Sequence, residues 1–341
     1  MFNNNTVSRK ITRYLKYILT LLIAIGISAC GGGNSAGDAA ASGDDAGGGS
    51  ADGGTGGNST AEYNKRISET ILDFDNNGQM DARFDYLYYP DGRLQMVTYT
   101  YIGDGTTDLY NPFYVTSTQR ADSELSYDSN GNLSGYKITI DNGDIINDAV
   151  FTYNGSQFIR SDTTVTASGR SFLLVGQMSY ENGLPSQFNL TSAGTPFIGY
   201  TFTYNADNQI VGSVKTSIGL LEVDTATYEW NMDGSLDKIT HINSNGTRQE
   251  DLTYSNGLLQ SRDFTSTLPR GTNATWLYTY KDGFPLRTDY DLNRDGSIDA
   301  TETVIMENGA CTPVYFNIPE DMSGTGVDGK PNSPNGIVWC G

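Results

Sequence analysis

Residues 291 to 302, DLNRDGSIDATE, set oxygen-bearing side chains at regular spacing around a glycine. With Gly296 as the sixth position, Asp291, Asn293, Asp295, Asp299 and Glu302 fall at positions 1, 3, 5, 9 and 12. Ser297 at position 7 offers its backbone carbonyl, and Ile298 fills the apolar position 8. Hard oxygens in this order suit Ca2+, which takes about six to eight of them, and the glycine permits the tight turn that converges them. A looser copy, DFDNNGQMDARF, spans residues 73 to 84 with Asp73, Asp75, Asn77, Gln79 and Asp81. Its position 12 is Phe84, so Asp85 must substitute through a shifted backbone. The stretch at Asp291 is read as the stronger calcium site and that at Asp73 as the weaker.

The spacing resembles an EF-hand loop, but an EF-hand needs flanking helices. Gly283 and Pro285 precede the stronger loop, while Thr301, Thr303, Val304 and Ile305 follow it and favour strand. The loop is therefore expected to join two strands. Asp and Asn also favour turns without any metal. Other chemistry is sparse. The single histidine, His241 in KITHI, reads as a sheet residue, and with no second histidine a His-dependent triad or a His-rich zinc site is largely excluded. A carboxylate pair could perform glycosidase chemistry, yet 40 acidic residues leave no pair distinguished. There is no phosphate-binding loop and no dinucleotide fingerprint, so no catalytic residue is named.

The elements that must position these loops are β-hairpins. Tyr127, Tyr153, Tyr180, Tyr204, Trp230, Tyr254 and Tyr280 recur at intervals of 26, 27, 24, 26, 24 and 26 residues. Each is followed by a turn and a short strand, as in YDSNGNLSGYKI, YENGLPSQF and WNMDGSLDKI, and YPDGRLQMV at Tyr89 is an earlier copy. Asn-Gly and Asp-Gly between alternating runs are strong hairpin signals, and they suggest two-residue reversals. Trp276, Tyr278 and Tyr280 alternate, as do Tyr200, Phe202 and Tyr204, which puts each set on one face of a strand. The other face carries Thr, Ser, Asn and Asp.

This pattern resembles the YD repeats of RHS proteins, in which Tyr followed by Asp or Asn and then Gly marks successive hairpins. The resemblance covers about residues 85 to 290 and implies an all-β fold of repeated antiparallel hairpins. The expected form is a strongly curved sheet or an open or closed barrel of roughly sixteen strands, like a fragment of an RHS shell. The closing Asp-Pro-Gly motif of RHS cores is missing, so no self-cleavage is expected. The two acidic loops bracket the array, and calcium there would rigidify its ends.

The remaining segments supply an address. Arg9, Lys10, Arg13 and Lys16 precede an apolar run from Tyr17 to Ile27 that is too short to span a bilayer. Ile27-Ser28-Ala29-Cys30 resembles a bacterial lipobox, which implies a signal peptide over 1–29 and acylation of Cys30. An ordinary signal peptide or membrane anchor with an incidental Cys is the alternative. Gly31 in place of Asp favours the outer membrane of a Gram-negative envelope. Residues 30–61, rich in Gly, Ser, Ala and Asp, form a flexible tether. The hairpin domain occupies 62–310, and 311–341 is expected to be closed by a Cys311–Cys340 disulfide, as suits an exported chain.

Without the four basic residues of the signal, 17 basic residues stand against 40 acidic ones, a net charge near −23. That excludes nucleic acid and anionic headgroups as partners. The expected function is a lipid-anchored, calcium-stabilised envelope β-protein that binds an envelope or extracellular protein or a glycan, or serves a structural or adhesive part. The alternative is a glycan-binding or glycosidase-type surface lipoprotein using the aromatic face as a platform. A barrel holding an apolar ligand is a third reading.

Overall fold

The computed structural model describes residues 63–102, 120–140, 143, 145–155, 157–167, 169–217, 222–268, 273–281 and 284–312. The expected signal peptide, Cys30, the tether and Cys340 lie outside them. The first third of the described chain forms β1 (Tyr63–Asp73), β2 (Ala82–Tyr88), β3 (Leu94–Tyr101), β4 (Arg120–Tyr127), β5 (Leu133–Ile140) and β6 (Ile145–Asn154). There follow β7 (Gln157–Ala167), β8 (Arg170–Glu181), β9 (Leu184–Ser192), β10 (Thr195–Tyr204), β11 (Ile210–Ser217) and β12 (Glu222–Trp230). The last are β13 (Leu236–Asn243), β14 (Gly246–Ser255), β15 (Leu258–Ser266), β16 (Ala274–Lys281), β17 (Phe284–Asp291) and β18 (Ala300–Cys311). Each strand pairs antiparallel with the next in sequence. β18 then pairs with β1, from Tyr63↔Cys311 to Asp73↔Thr301. The sheet is a closed barrel, one of the expected forms, with 18 strands where about sixteen were expected.

Closure has a local cause that repeats. In eight hairpins the register slips by one residue beside the aromatic anchor. Ser126↔Gly135 is followed by Tyr127↔Leu133, which leaves Ser134 unpaired. Ser179↔Gln187 is followed by Tyr180↔Pro185, which leaves Ser186 unpaired. Each slip is a β-bulge, which bends its strand and increases right-handed twist. Eight bulges along the same rim curl the sheet until its edges meet. The anchors also tie neighbouring hairpins together at this rim. Tyr127 Oη donates to the Leu94 carbonyl at 2.7 Å, Tyr180 Oη to Phe158 at 2.7 Å and Trp230 Nε1 to Ile210 at 2.8 Å. Leu94 and Ile210 are the first strand residues after the preceding turn, and Phe158 is the second.

The described turns beside Tyr88, Tyr127, Tyr180, Tyr204, Trp230 and Tyr254 are of two kinds, and only one is the expected two-residue reversal. Asn182-Gly183 and Asn256-Gly257 have two successive positive φ values, 51° and 84° and then 54° and 76°, as a type I′ turn requires. After Tyr88, Tyr127, Tyr204 and Trp230 the turn is longer and ends in a left-handed residue, Gly92, Gly131, Asn208 or Gly234. There the amide following the anchor donates to the carbonyl four residues on, as from Asp128 to Asn132 at 2.9 Å.

The inner face is apolar and packed. Leu94, Ile138, Val165, Leu236 and Ile239 are completely buried, and Phe84, Tyr99, Tyr200, Phe202 and Tyr228 are nearly so. One core spans β18 and β1 to β6, another spans β7 to β16, and Phe151 packs against both. A barrel of this strand number has room for a water channel; here side chains occupy the interior instead. The outer face exposes Arg120, Glu124, Lys137, Asp148, Gln177 and Glu229. Val150, Leu173, Val223, Ile242 and Leu277 are exposed on the same outer face, which is therefore mixed in polarity.

Two glycines with nearly equal φ test how the rim is packed. At Gly131 (φ 84°) an added Cβ meets open space, whereas at Gly92 (φ 85°) it comes within 2.6 Å of the Ala310 backbone. Gly131→Ala should therefore cost about 1–2 kcal/mol, the left-handed penalty alone. Gly92→Ala should cost at least about 2 kcal/mol more, because backbone must move. Urea denaturation of the two variants measures the difference, and equal costs would contradict the packing of this turn on β18.

Candidate metal centre

The two acidic loops are structural copies. Asp73 ends β1 and Asp291 ends β17, while β2 and β18 begin at Ala82 and Ala300, so each loop joins two strands as the flanking residues imply. In the first loop, Asp73 accepts from the amides of Asn77 at 3.1 Å and Gly78 at 2.8 Å. In the second, Asp291 accepts from Asp295 at 3.2 Å and Gly296 at 2.8 Å. Asp81 and Asp299 accept from the amides of Phe74 and Leu292, each at 2.7 Å. The tight bend uses the same two left-handed positions, Asn76 and Gly78 in one loop and Arg294 and Gly296 in the other.

Because β1 and β18 pair, the loops that bracket the array in sequence stand side by side in space. Asn76 Nδ2 donates to the Ile298 carbonyl at 2.9 Å and links them directly. Both occupy the rim opposite the bulges.

Asp73, Asp75 and Asp81 bring carboxylate oxygens within 4.8 Å of one another. Ligands at about 2.3–2.6 Å from one calcium ion lie within about 5 Å of each other, so this trio fits a single ion. Among the described residues, no three of Asp291, Asp295, Asp299 and Glu302 are so placed. Geometry thus ranks the looser copy first. Asn77 and Asn293 each accept an amide within the loop, from Gln79 at 2.7 Å and Asp295 at 2.8 Å. The Ser297 amide and hydroxyl hold the Asp295 carboxyl below its usual range.

The twelfth position behaves differently from a helical exit. A strand puts it on the barrel's inner face in both loops, as Phe84 in one and Glu302 in the other, each 2% exposed. The Glu302 carboxylate accepts from Tyr290 Oη at 2.8 Å. Burial pushes its pKa up to about 7, partly offset by that hydrogen bond. Asp85 is likewise engaged elsewhere, with Arg83 Nε at 3.0 Å. Cys311 is buried and disulfide-bonded at the end of β18.

His241 lies in β13, as a sheet residue, with Nδ1 4.0 Å from Asp224 Oδ1. It belongs to a polar group on the inner face that the sequence reading passed over. Lys215, Asp224, His241 and Arg248 line one cavity. The available signal was their alternation with Ser213, Ala226, Ile239 and Glu250, at the strand ends far from the anchors.

No protein-family model matches the chain, and no curated protein matches it in sequence. Among solved structures, the chain is similar to the TcdB2-TccC3-Cdc42 complex at 13% identity, covering 73% of this chain and 14% of that one, with a TM-score of 0.30. It is also similar to a porin-like protein from Bacteroides uniformis, at 11% identity, 71% and 98% coverage and a TM-score of 0.37. The Photorhabdus luminescens Tc holotoxin pore is a third, at 14% identity, 73% and 13% coverage and a TM-score of 0.29. This chain spans about a seventh of the toxin chains' length.

The Glu302 carboxyl gives stability a pH dependence. Its folded pKa, about 7, lies above the ordinary 4.5, so folding favours the protonated form. That contribution is complete below pH 4.5 and is lost as pH rises through 7. In chelator, Glu302→Gln should remove this decline and be more stable than the native chain at pH 8, by on the order of 3 kcal/mol. Parallel pH curves for the two proteins would show that Glu302 is already ionised in the fold.

Proposed function

We propose that this is a lipid-anchored cell-envelope protein whose hairpin barrel is clasped shut by calcium and displays a binding surface on a tether. The observation that carries the calcium part is the adjacency of the two acidic loops on the closing pair of strands, joined through Asn76 and Ile298. Asp73, Asp75 and Asp81 would hold one ion, with the Asn77 side chain and the Gln79 carbonyl completing its shell. Asp291, Asn293, Asp295, Asp299 and the Ser297 carbonyl would form the counterpart, once their side chains draw together. Calcium supplies charge neutralisation to a run of carboxylates that otherwise repel one another. The lipid anchor rests on Cys30 and the residues before it, and the oxidising compartment on the bonded state of Cys311.

The aromatic-platform reading has less support. Tyr86, Tyr99, Tyr200, Tyr228 and Tyr278 are buried, so this part of the ladder is core and offers a sugar no stacking surface. The charged lining of the cavity at Lys215, Asp224 and Arg248 likewise disfavours storage of an apolar ligand.

Calcium at millimolar concentration should stabilise the barrel by about 1 kcal/mol at a site of extracellular type, raising Tm by about 2–4 °C relative to chelator. Asp73→Asn with Asp81→Asn should remove most of that shift, and a calcium-independent Tm in the native chain would end the proposal. For the anchor, Cys30→Ala should move the protein from the membrane fraction to the soluble fraction of the envelope. Persistence in the membrane would show that something other than an acyl chain holds it.

A further inference from the structure

The inner face of β11 to β14 carries a feature that the packed core does not require. At the rim far from the bulges, four strands present a polar grid, Lys215↔Asp224↔Asn243 in one row and Ser213↔Ala226↔His241↔Arg248 in the next. These residues, with Tyr200, surround a cavity of about 170 Å³. One buried charge elsewhere in the barrel is matched by an opposite one. Arg262 pairs with Glu250, which is 1% exposed, and the guanidinium lies 5.2 Å from the Trp276 ring. The cavity is different. Neither Lys215 nor Arg248 makes a salt bridge among the described residues, although Lys215 is a cross-strand neighbour of Asp224. Lys215 Nζ sits over the Tyr200 ring at 5.4 Å instead. Asp224 Oδ1 is buried with no hydrogen-bond partner among the described residues and is 4.0 Å from His241 Nδ1.

An acceptor left in this state is costly unless something donates to it. Two cations and one carboxylate leave the cavity with an excess positive charge, in a chain whose formal charge is −19. We infer that this cavity binds a small hydroxylated monocarboxylate, a short hydroxy acid. The ligand carboxylate meets Arg248, exposed at the mouth, and Lys215, while a hydroxyl donates to Asp224. A monoanion brings the charge of Lys215, Arg248 and Asp224 to zero, which a neutral polyol or a zwitterionic amino acid does not. The volume sets the size. A cavity of about 150 Å³ holds benzene, so this one takes a body of roughly six to eight heavy atoms. The site lies at least four strands from the calcium seam, and it stands or falls independently of that proposal.

The test is calorimetric titration of the full-length protein with glycerate, against propionate, which lacks the hydroxyls, and glycerol, which lacks the charge. Glycerate should bind at millimolar concentration or below, and more tightly than either control. Arg248→Met and Lys215→Met should each weaken it about tenfold or more, the loss expected for a hydrogen bond between charged groups. Asp224→Asn should weaken glycerate relative to propionate, which loses no hydroxyl contact and gains from the removed negative charge, whereas Lys137→Met, on the outer face, should leave both unchanged. Thermal unfolding of each variant checks that it folds; if Lys215→Met does not, Arg248→Met at the exposed mouth carries the charge test. No heat with glycerate, equal binding of propionate, or an Arg248→Met variant that binds like the native chain overturns the assignment.

Discussion

The ladder between β1 and β18 is the contact on which the barrel depends. It joins residues about 240 positions apart, as in the Arg66–Glu307 ion pair at 2.7 Å. Every other strand pair is a hairpin between sequence neighbours and can form locally. The seam alone must find its partner across the whole chain, so it bears the largest loop-closure cost. Without it, two long edges would offer unpaired amides and carbonyls to other chains. The seam is correspondingly reinforced. Arg66 also lies over the Tyr88 ring at 4.6 Å, and Tyr88 donates to the Ile67 carbonyl at 2.8 Å.

What brings the edges together is a small distortion repeated. A flat ribbon of 18 strands would not close, and no single residue makes this one close. The bulge beside each anchor contributes one increment of bend, and at Tyr127, Tyr180 and Trp230 the hydroxyl or indole nitrogen secures it to the preceding hairpin. Tyr and Trp suit the position because they join a large apolar body to one donor at the tip. The repeat period is therefore the spacing at which the sheet must be bent.

Much of this can be read before any coordinates. The anchors, their alternation and the strand character around the Asp291 loop all follow from local chemistry, and local chemistry is what a hairpin repeat is made of. Closure could not be read in that way, because the pairing of Tyr63 with Cys311 leaves no mark at either residue. Position 12 of the acidic loops follows the same logic. Spacing identifies the loop, but the direction of the Glu302 side chain is set by strand alternation and the core it faces. The grid of Lys215, Asp224, His241 and Arg248 was invisible because its members come from four strands and form no motif along the chain.

Adjacent ends give the molecule a polarity. Residue 63 and residue 311 pair at the bulge rim, where Thr312 also bonds the Gly92 carbonyl at 2.9 Å. Whatever precedes residue 63 or follows residue 312 joins the barrel at this one pole. The acidic loops and the cavity mouth crown the other pole, so a molecule suspended by its leader would hold them outermost, like the open end of a cup hung by its base.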